Sequence, residues 1–121
     1  MATILFTDDE ESIRLLYREE FEEAGYEVVV AASGEEALEK FTETQPDLLV
    51  VDIKMPGMDG IELVRRIRES NTDVPVILCT AYGEYRQNLE TWASDDYIVK
   101  SANMEGLFEK VAELLDRRAS H

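Results

Sequence analysis

Leu48-Leu49-Val50-Val51-Asp52-Ile53-Lys54-Met55-Pro56-Gly57-Met58-Asp59-Gly60 is the stretch on which the fold turns. A short apolar run of strand length reaches Asp52, a carboxylate that an apolar strand does not need for its own stability. A Pro-Gly turn follows, and Asp59 then opens a helix as N-cap with Glu62 at N3. A buried strand that ends on a charge, with the chain turning away beyond it, points to an active centre at the rim of a sheet.

Working outward, the same strand-then-helix unit repeats. Residues 3–7 form a compact apolar run that stops at Asp8-Asp9. Ile13, Leu16 or Tyr17, Phe21 and Ala24 then share a helical face, and Gly25 is a left-handed stop. Residues 26–31 read as a second strand. Ser33 caps the next helix with Glu36 reaching back from N3. Ala37, Leu38 and Phe41 form its buried side, and Gln45-Pro46 ends it. Residues 47–52 are the third strand. The helix after it buries Ile61, Val64 and Ile67.

Residues 74–79 form a fourth strand that reaches Thr80. A fourth helix carries Tyr85, Leu89 and Trp92. Residues 97–99 are a fifth strand running into Lys100. Asn103 caps the last helix, with Leu107, Val111 and Leu114 inward. Five alternations with short connections predict an α/β fold, a parallel sheet covered by helices on both faces. Its crossovers are expected to be right-handed. Ligands bind such sheets outside the carboxyl ends of the strands.

A chain of 121 residues, 45% hydrophobic, suits a single domain over 1–121 with a real core. Twelve Lys+Arg against 27 Asp+Glu give a formal charge of −15, which repels nucleic acid and anionic membrane, so neither is an expected partner. The acidic pairs Glu10-Glu11, Glu19-Glu20, Glu22-Glu23 and Glu35-Glu36 read as solvated helix faces. Cys79 is the single cysteine, so no intrachain disulfide forms and a reducing compartment is expected. With no apolar stretch of spanning length and no signal peptide ahead of the first strand, the expectation is a cytoplasmic protein.

The strand ends supply a chemical inventory: Asp8 and Asp9 from the first, Asp52 from the third, Thr80 from the fourth, Lys100 from the fifth. The second ends in Ala31-Ala32 and contributes nothing, which places it at an edge, as in the order 2-1-3-4-5. Carboxylates held close repel one another, and desolvation disfavours their charge further. A hard divalent cation relieves both, and carboxylates with a backbone carbonyl and waters suit Mg²⁺. Thr80 can donate to an anionic oxygen and Lys100 supplies a point charge. Together they describe a phosphoryl-handling site, in which a carboxylate can itself carry the phosphoryl group. Singly, each has a structural reading: Asp8 or Asp9 as a cap, Asp52 as a turn residue, Thr80 as a β-branched strand end, Lys100 as a solvated charge. Their joint occurrence along one edge favours the site.

The motifs Thr7-Asp8-Asp9-Glu10, Asp52-Ile53-Lys54-Met55-Pro56-Gly57-Met58-Asp59-Gly60, Thr80-Ala81-Tyr82-Gly83 and Asp95-Asp96-Tyr97-Ile98-Val99-Lys100 together resemble the receiver domain of two-component response regulators, the stand-alone chemotaxis receivers included. The resemblance spans essentially the whole chain. It implies a flavodoxin-like doubly wound sheet of five parallel strands in the order 2-1-3-4-5, of which receivers are themselves a standing example. It also implies that Asp52 accepts a phosphoryl group from phosphohistidine on a sensor histidine kinase or phosphotransfer protein. Asp9 would ligate Mg²⁺ directly and Asp8 through water, with Asp52 and the Lys54 carbonyl completing the protein's share. Thr80 and Lys100 would contact phosphoryl oxygens, and Tyr97 would turn inward as Thr80 is drawn to them, a pre-existing equilibrium biased by new charge-assisted bonds. Lys54 and Tyr82 would set how quickly the acyl phosphate hydrolyses.

Such a module catalyses its own phosphorylation and dephosphorylation and is not a conventional enzyme. Its implied partners are the kinase, a downstream protein target or linked output domain, and at most a weak dimer through the face of the fourth helix, fifth strand and last helix. The chain departs from the family in two places. Ser101 stands where the family has proline after its lysine, and because a cis bond before a non-proline residue costs ~3–4 kcal/mol, a trans Lys100-Ser101 bond is expected. Trp92-Ala93-Ser94-Asp95-Asp96 lacks the usual small-residue pair, which makes the entry to the fifth strand tight. Two other classes compete. A haloacid-dehalogenase-type phosphohydrolase wants Asp-x-Asp after the first strand, whereas Asp8 and Asp9 are adjacent. A receiver-like scaffold that docks without phosphorylation would not need the acids, Thr80 and Lys100. Cys79 reads as a buried strand thiol and His121 has no assigned role, while residues 117–121 fit either a natural terminus or the edge of a longer protein.

Overall fold

Side-chain alternation along the strands builds two apolar layers, one on each side of a single sheet. The computed structural model describes residues 2–53, 55–71, 73–80, 96–99 and 105–119. In chain order the elements are β1 (Thr3–Thr7), α1 (Glu11–Glu23), β2 (Glu27–Ala31), α2 (Gly34–Thr44), β3 (Leu48–Asp52), α3 (Gly60–Ser70), β4 (Val76–Thr80), β5 (Asp96–Val99) and the last helix, α4 (Glu105–Ala119). All strand pairs are parallel, and the sheet order is β2-β1-β3-β4-β5.

Leu5, Leu49, Val51 and Leu78 face one side, where Ala37 of α2 and Leu63, Val64 and Ile67 of α3 cover them. Ile4, Phe6, Leu48, Val50, Ile77 and Cys79 face the other, against Tyr17 and Phe21 of α1 and Leu107, Val111 and Leu114 of α4. Helices therefore lie on both faces, as the alternation of elements predicts. β3 is buried along its whole length, which is why it reads as an unbroken apolar run rather than an alternating one. Aromatic rings tie the second layer together: Phe6 lies 4.9 Å from Tyr17 and 5.0 Å from Phe21, and Phe21 stacks on Phe108 at 4.3 Å.

The helix starts follow their caps. Ser33 Oγ accepts from the Glu36 N–H, and Asp59 Oδ1 accepts from the Glu62 N–H. Glu36 does reach back, but to the Ala32 N–H at 2.7 Å, one residue before the cap. Gly25 takes the left-handed conformation (φ 100°), and Gln45, at φ 47°, ends α2 just ahead of Pro46.

Of the two candidates for the inward face of α1, Tyr17 is the buried one and Leu16 stays 41% exposed. Elsewhere the helix faces depart from the sequence expectation. Ala24 is exposed, because the helix has ended at Glu23 and the chain is already turning toward Gly25. On α3, Leu63 is fully buried while Ile61 is only partly so, since the stripe that meets the sheet is centred on Leu63, Val64 and Ile67. Tyr85, Leu89, Trp92, the link up to Asp95, and Asn103 lie outside the described residues.

Candidate functional site

Pairing of β1 with β3 brings the acids together. Thr7 is in register with Val51, so Asp8 and Asp52 follow at the same carboxyl edge, on the face that carries Phe6 and Val50. The Asp8 N–H donates to the Ala31 carbonyl at 3.1 Å, and the Ile53 N–H donates to the Cys79 carbonyl at 2.9 Å. Each bond fixes the backbone at a strand end just where its acid is needed.

Carboxylate oxygens of Asp8, Asp9 and Asp52 all lie within 4.8 Å of one another. Asp8 is 1% exposed and Asp52 6%, while Asp9 is open to solvent. Two buried like charges at this separation repel by about 3 kcal/mol at an effective dielectric near 20, more than a surface pair would. The donor set is all oxygen, compact and open on one side at Asp9. That is the chemistry of a hard divalent cation which keeps waters and shares its shell with a phosphate, and Mg²⁺ fits it.

The turn after β3 is shaped by glycine. Gly57 is left-handed (φ 74°). Gly60 begins α3 against the backbone of the site: its N–H donates to the Ile53 carbonyl at 2.9 Å. A Cβ there would stand 2.8 Å from Ile53 Cα and 2.9 Å from the Asp52 carbonyl carbon, and would overlap the Asp52 carbonyl oxygen. Met58 folds back over Gly34, which seats this turn on the start of α2.

Tyr17 lies beneath the site on the same face. Burial, and then the acidic neighbours Cys79, Asp8 and Asp52, push its hydroxyl well above its ordinary value of 10.0. The unfolded chain releases this proton near pH 10 and the folded chain does not, so Tyr17 stabilises the fold fully below about pH 10 and loses that contribution as pH rises above it. Tyr17→Phe is expected to flatten the alkaline limb of the stability curve, measured by urea unfolding at stepped pH. An unchanged slope above pH 10 would contradict this.

Of the residues singled out by sequence, Asp8, Asp9 and Asp52 are brought together. Thr80 closes β4 in register with Val99, and Tyr97 stands in β5 opposite Leu78, so both are placed by their backbones. Lys54, Tyr82, Lys100 and the Lys100-Ser101 bond lie outside the described residues. Sequence reading gave no part to Arg14, or to the close approach at Gly60, although Asp59-Gly60 lies within the stretch that was decisive for the fold.

A family model described as the response regulator receiver domain matches residues 4–112. The transcriptional regulatory protein TrcR of Mycobacterium tuberculosis is 38% identical over 120 residues, covering 98% of this chain and 46% of that protein. Sporulation initiation phosphotransferase F of Bacillus subtilis is 46% identical over 81 residues, 67% of this chain and 65% of that protein. The chain thus spans about half the length of regulators such as TrcR and ResD of Bacillus subtilis. Among solved structures, the response regulator protein TrrA of Thermotoga maritima in complex with Mg(2+)-BeF superimposes with a TM-score of 0.90 at 49% identity, over 94% of this chain and 99% of that one. TrrA in complex with the histidine kinase ThkA gives 0.88 at 49% identity, over 95% of this chain and 99% of that one.

Proposed function

The chain belongs to the response regulator receiver domain family, and from that premise we propose that Asp52 is its phosphoacceptor and that Asp8, Asp9, Asp52 and the Lys54 carbonyl hold its Mg²⁺. The observation that carries this reading is the convergence of three carboxylates within 4.8 Å at the end of β1 and β3. The Mg(2+)-BeF complex of TrrA and its complex with a histidine kinase support both the cation and the donor.

The Asp52 carboxylate attacks phosphorus, the N–P bond of a phosphohistidine breaks, and the imidazole leaves as an acyl phosphate forms. When bound, Mg²⁺ neutralises the charge that develops on the phosphoryl oxygens. Thr80 donates its hydroxyl to one of those oxygens and Lys100 supplies a fixed positive charge to another. Tyr97 follows Thr80 inward, which is how the modification reaches the partner face. Lys54 and Tyr82 tune access of water to the acyl phosphate.

The same reading takes residues 1–121 as one receiver on a full, doubly wound sheet of five strands, with a trans Lys100-Ser101 bond. Its partners are a histidine kinase or phosphotransfer protein and either a separate target or an output domain, the latter suggested by relatives about twice this length. It works in the cytoplasm without contacting nucleic acid itself, as a monomer or a weak dimer through its last strand and flanking helices. Among the described residues no helix is long and apolar enough to cross a membrane.

Intact-mass analysis after incubation with Mg²⁺ and acetyl phosphate, or with an autophosphorylated histidine kinase, tests the reading. A single labile phosphoryl adduct that does not form when EDTA is present from the start is expected. No adduct with any donor would leave the phosphorylation-independent scaffold, and multiple-turnover phosphate release from small esters would favour the phosphohydrolase.

A further inference from the structure

Asp8 is held at three atoms. Its N–H donates to Ala31, its Oδ1 accepts from the Glu10 N–H at 2.9 Å, and its carbonyl oxygen accepts from Arg14 Nη1 at 2.8 Å. The first bond belongs to the sheet edge and the second is a local turn. The third comes from a side chain on the second turn of α1, half-buried over the start of the helix. Arg14 is anchored in its own right, its N–H donating to the Glu10 carbonyl at 3.1 Å. Asp8, Glu10 and Arg14 therefore close a ring of three hydrogen bonds, and Asp9 lies between the first two in the chain.

This ring replaces something α1 lacks. Glu10 occupies its N-cap in extended conformation and makes no side-chain cap bond, whereas Ser33 and Asp59 cap α2 and α3. Without a cap, the turn from β1 into α1 is tied by the Asp8 carboxylate within the turn and, from the helix, by Arg14. The acids nevertheless have to be held close together against their own repulsion.

We propose that Arg14 is a positioning residue for the metal acids: by holding the Asp8 carbonyl it keeps the 8–10 turn, and with it the Asp8 and Asp9 carboxylates, in the shape that receives Mg²⁺. The inference rests on the acidic triad being the Mg²⁺ site. A guanidinium beside the triad also repels a divalent cation, so the two effects oppose each other in sign. Groups that orient metal ligands typically change affinity by about 10–100-fold, whereas a partly solvated charge is screened, so geometry is expected to dominate.

Isothermal titration of Mg²⁺ into the wild type and into Arg14→Met, which keeps the stem and removes every donor, reads this directly. Mg²⁺ affinity is expected to fall about tenfold. Arg14→Lys recovers most of the loss, and Arg18→Met, a control on the exposed side of the same helix, loses none. Amide exchange at Glu10 accelerates in Arg14→Met while sheet amides keep their protection, and saturating Mg²⁺ restores the phosphoryl adduct. Arg14→Gln gives the same readings if the Met variant does not fold. Equal or tighter Mg²⁺ binding in the variant overturns the proposal, as does faster exchange across the whole sheet with affinity unchanged, which is a structural role only. A wild type that binds no Mg²⁺ overturns the metal reading itself, and the proposal with it.

Discussion

Asp52→Asn is expected to give no phosphoryl adduct with acetyl phosphate or with a phosphorylated kinase at any Mg²⁺ concentration. The substitution keeps the shape of the side chain and removes the nucleophilic oxygen and its charge, and an amide does not replace a carboxylate in that role. Neither neighbour is equipped to take over. Asp8 is 1% exposed and its Oδ1 is engaged by the Glu10 N–H, while Asp9 is on the solvent side of the turn. Stability should move the other way or not at all. One of three mutually repelling charges has gone, so the thermal midpoint without Mg²⁺ should be no lower than that of the wild type. The gain on adding Mg²⁺ should shrink, since a ligand at 100 times its dissociation constant stabilises by about 2.7 kcal/mol and the variant binds it less well. A full adduct on Asp52→Asn would move the phosphoacceptor elsewhere.

The alternation of strands and helices was legible because β3 and β4 are buried on both faces and carry no polar residue until their ends. For the same reason the acids stood out: Asp8 and Asp52 interrupt patterns that had no use for them. Helix faces were read less well. Leu16 and Tyr17 are adjacent and either fits the helical period, and the Phe6 ring, which packs against Tyr17, makes the choice between them. Ala24 fits the helical period, yet the helix ends before it. Arg14 carried no signal in the sequence, because its side chain bonds a backbone carbonyl that no spacing rule points to. Gly60 carried none for a similar reason: what it must avoid is the Asp52 backbone, visible only once α3 is laid against β3.

Gly60→Ala should therefore be the most damaging methyl group that can be added to this turn. At an ordinary helix position, replacing glycine by alanine stabilises by up to about 1 kcal/mol. Here the added carbon would lie 2.8 Å from Ile53 Cα and 2.9 Å from the Asp52 carbonyl carbon, both backbone atoms in or beside a fully buried strand, so no side chain can swing aside. Either α3 retreats and gives up its 2.9 Å bond from Gly60 to the Ile53 carbonyl, or β3 moves. Overpacking of this kind outweighs the helix gain, and a net loss of about 3 kcal/mol is expected, a fall in midpoint on the order of 10 °C. Gly57→Ala is the control. Its φ of 74° makes a side chain unfavourable by about 1–2 kcal/mol, but the nearest atom to its Cβ is Glu35 Oε1 at 3.9 Å, so it strains its own backbone only. The two should also separate in chemistry. At a temperature where both are folded, Gly60→Ala shifts the backbone that carries the nucleophile and slows adduct formation by up to about 100-fold. Gly57→Ala, with nothing pressed against Asp52, should be affected far less. Chemical unfolding and the rate of adduct formation read both effects. A Gly60→Ala protein as stable as the wild type would mean that α3 can stand further from the site than the close approach of Gly60 to Asp52 requires.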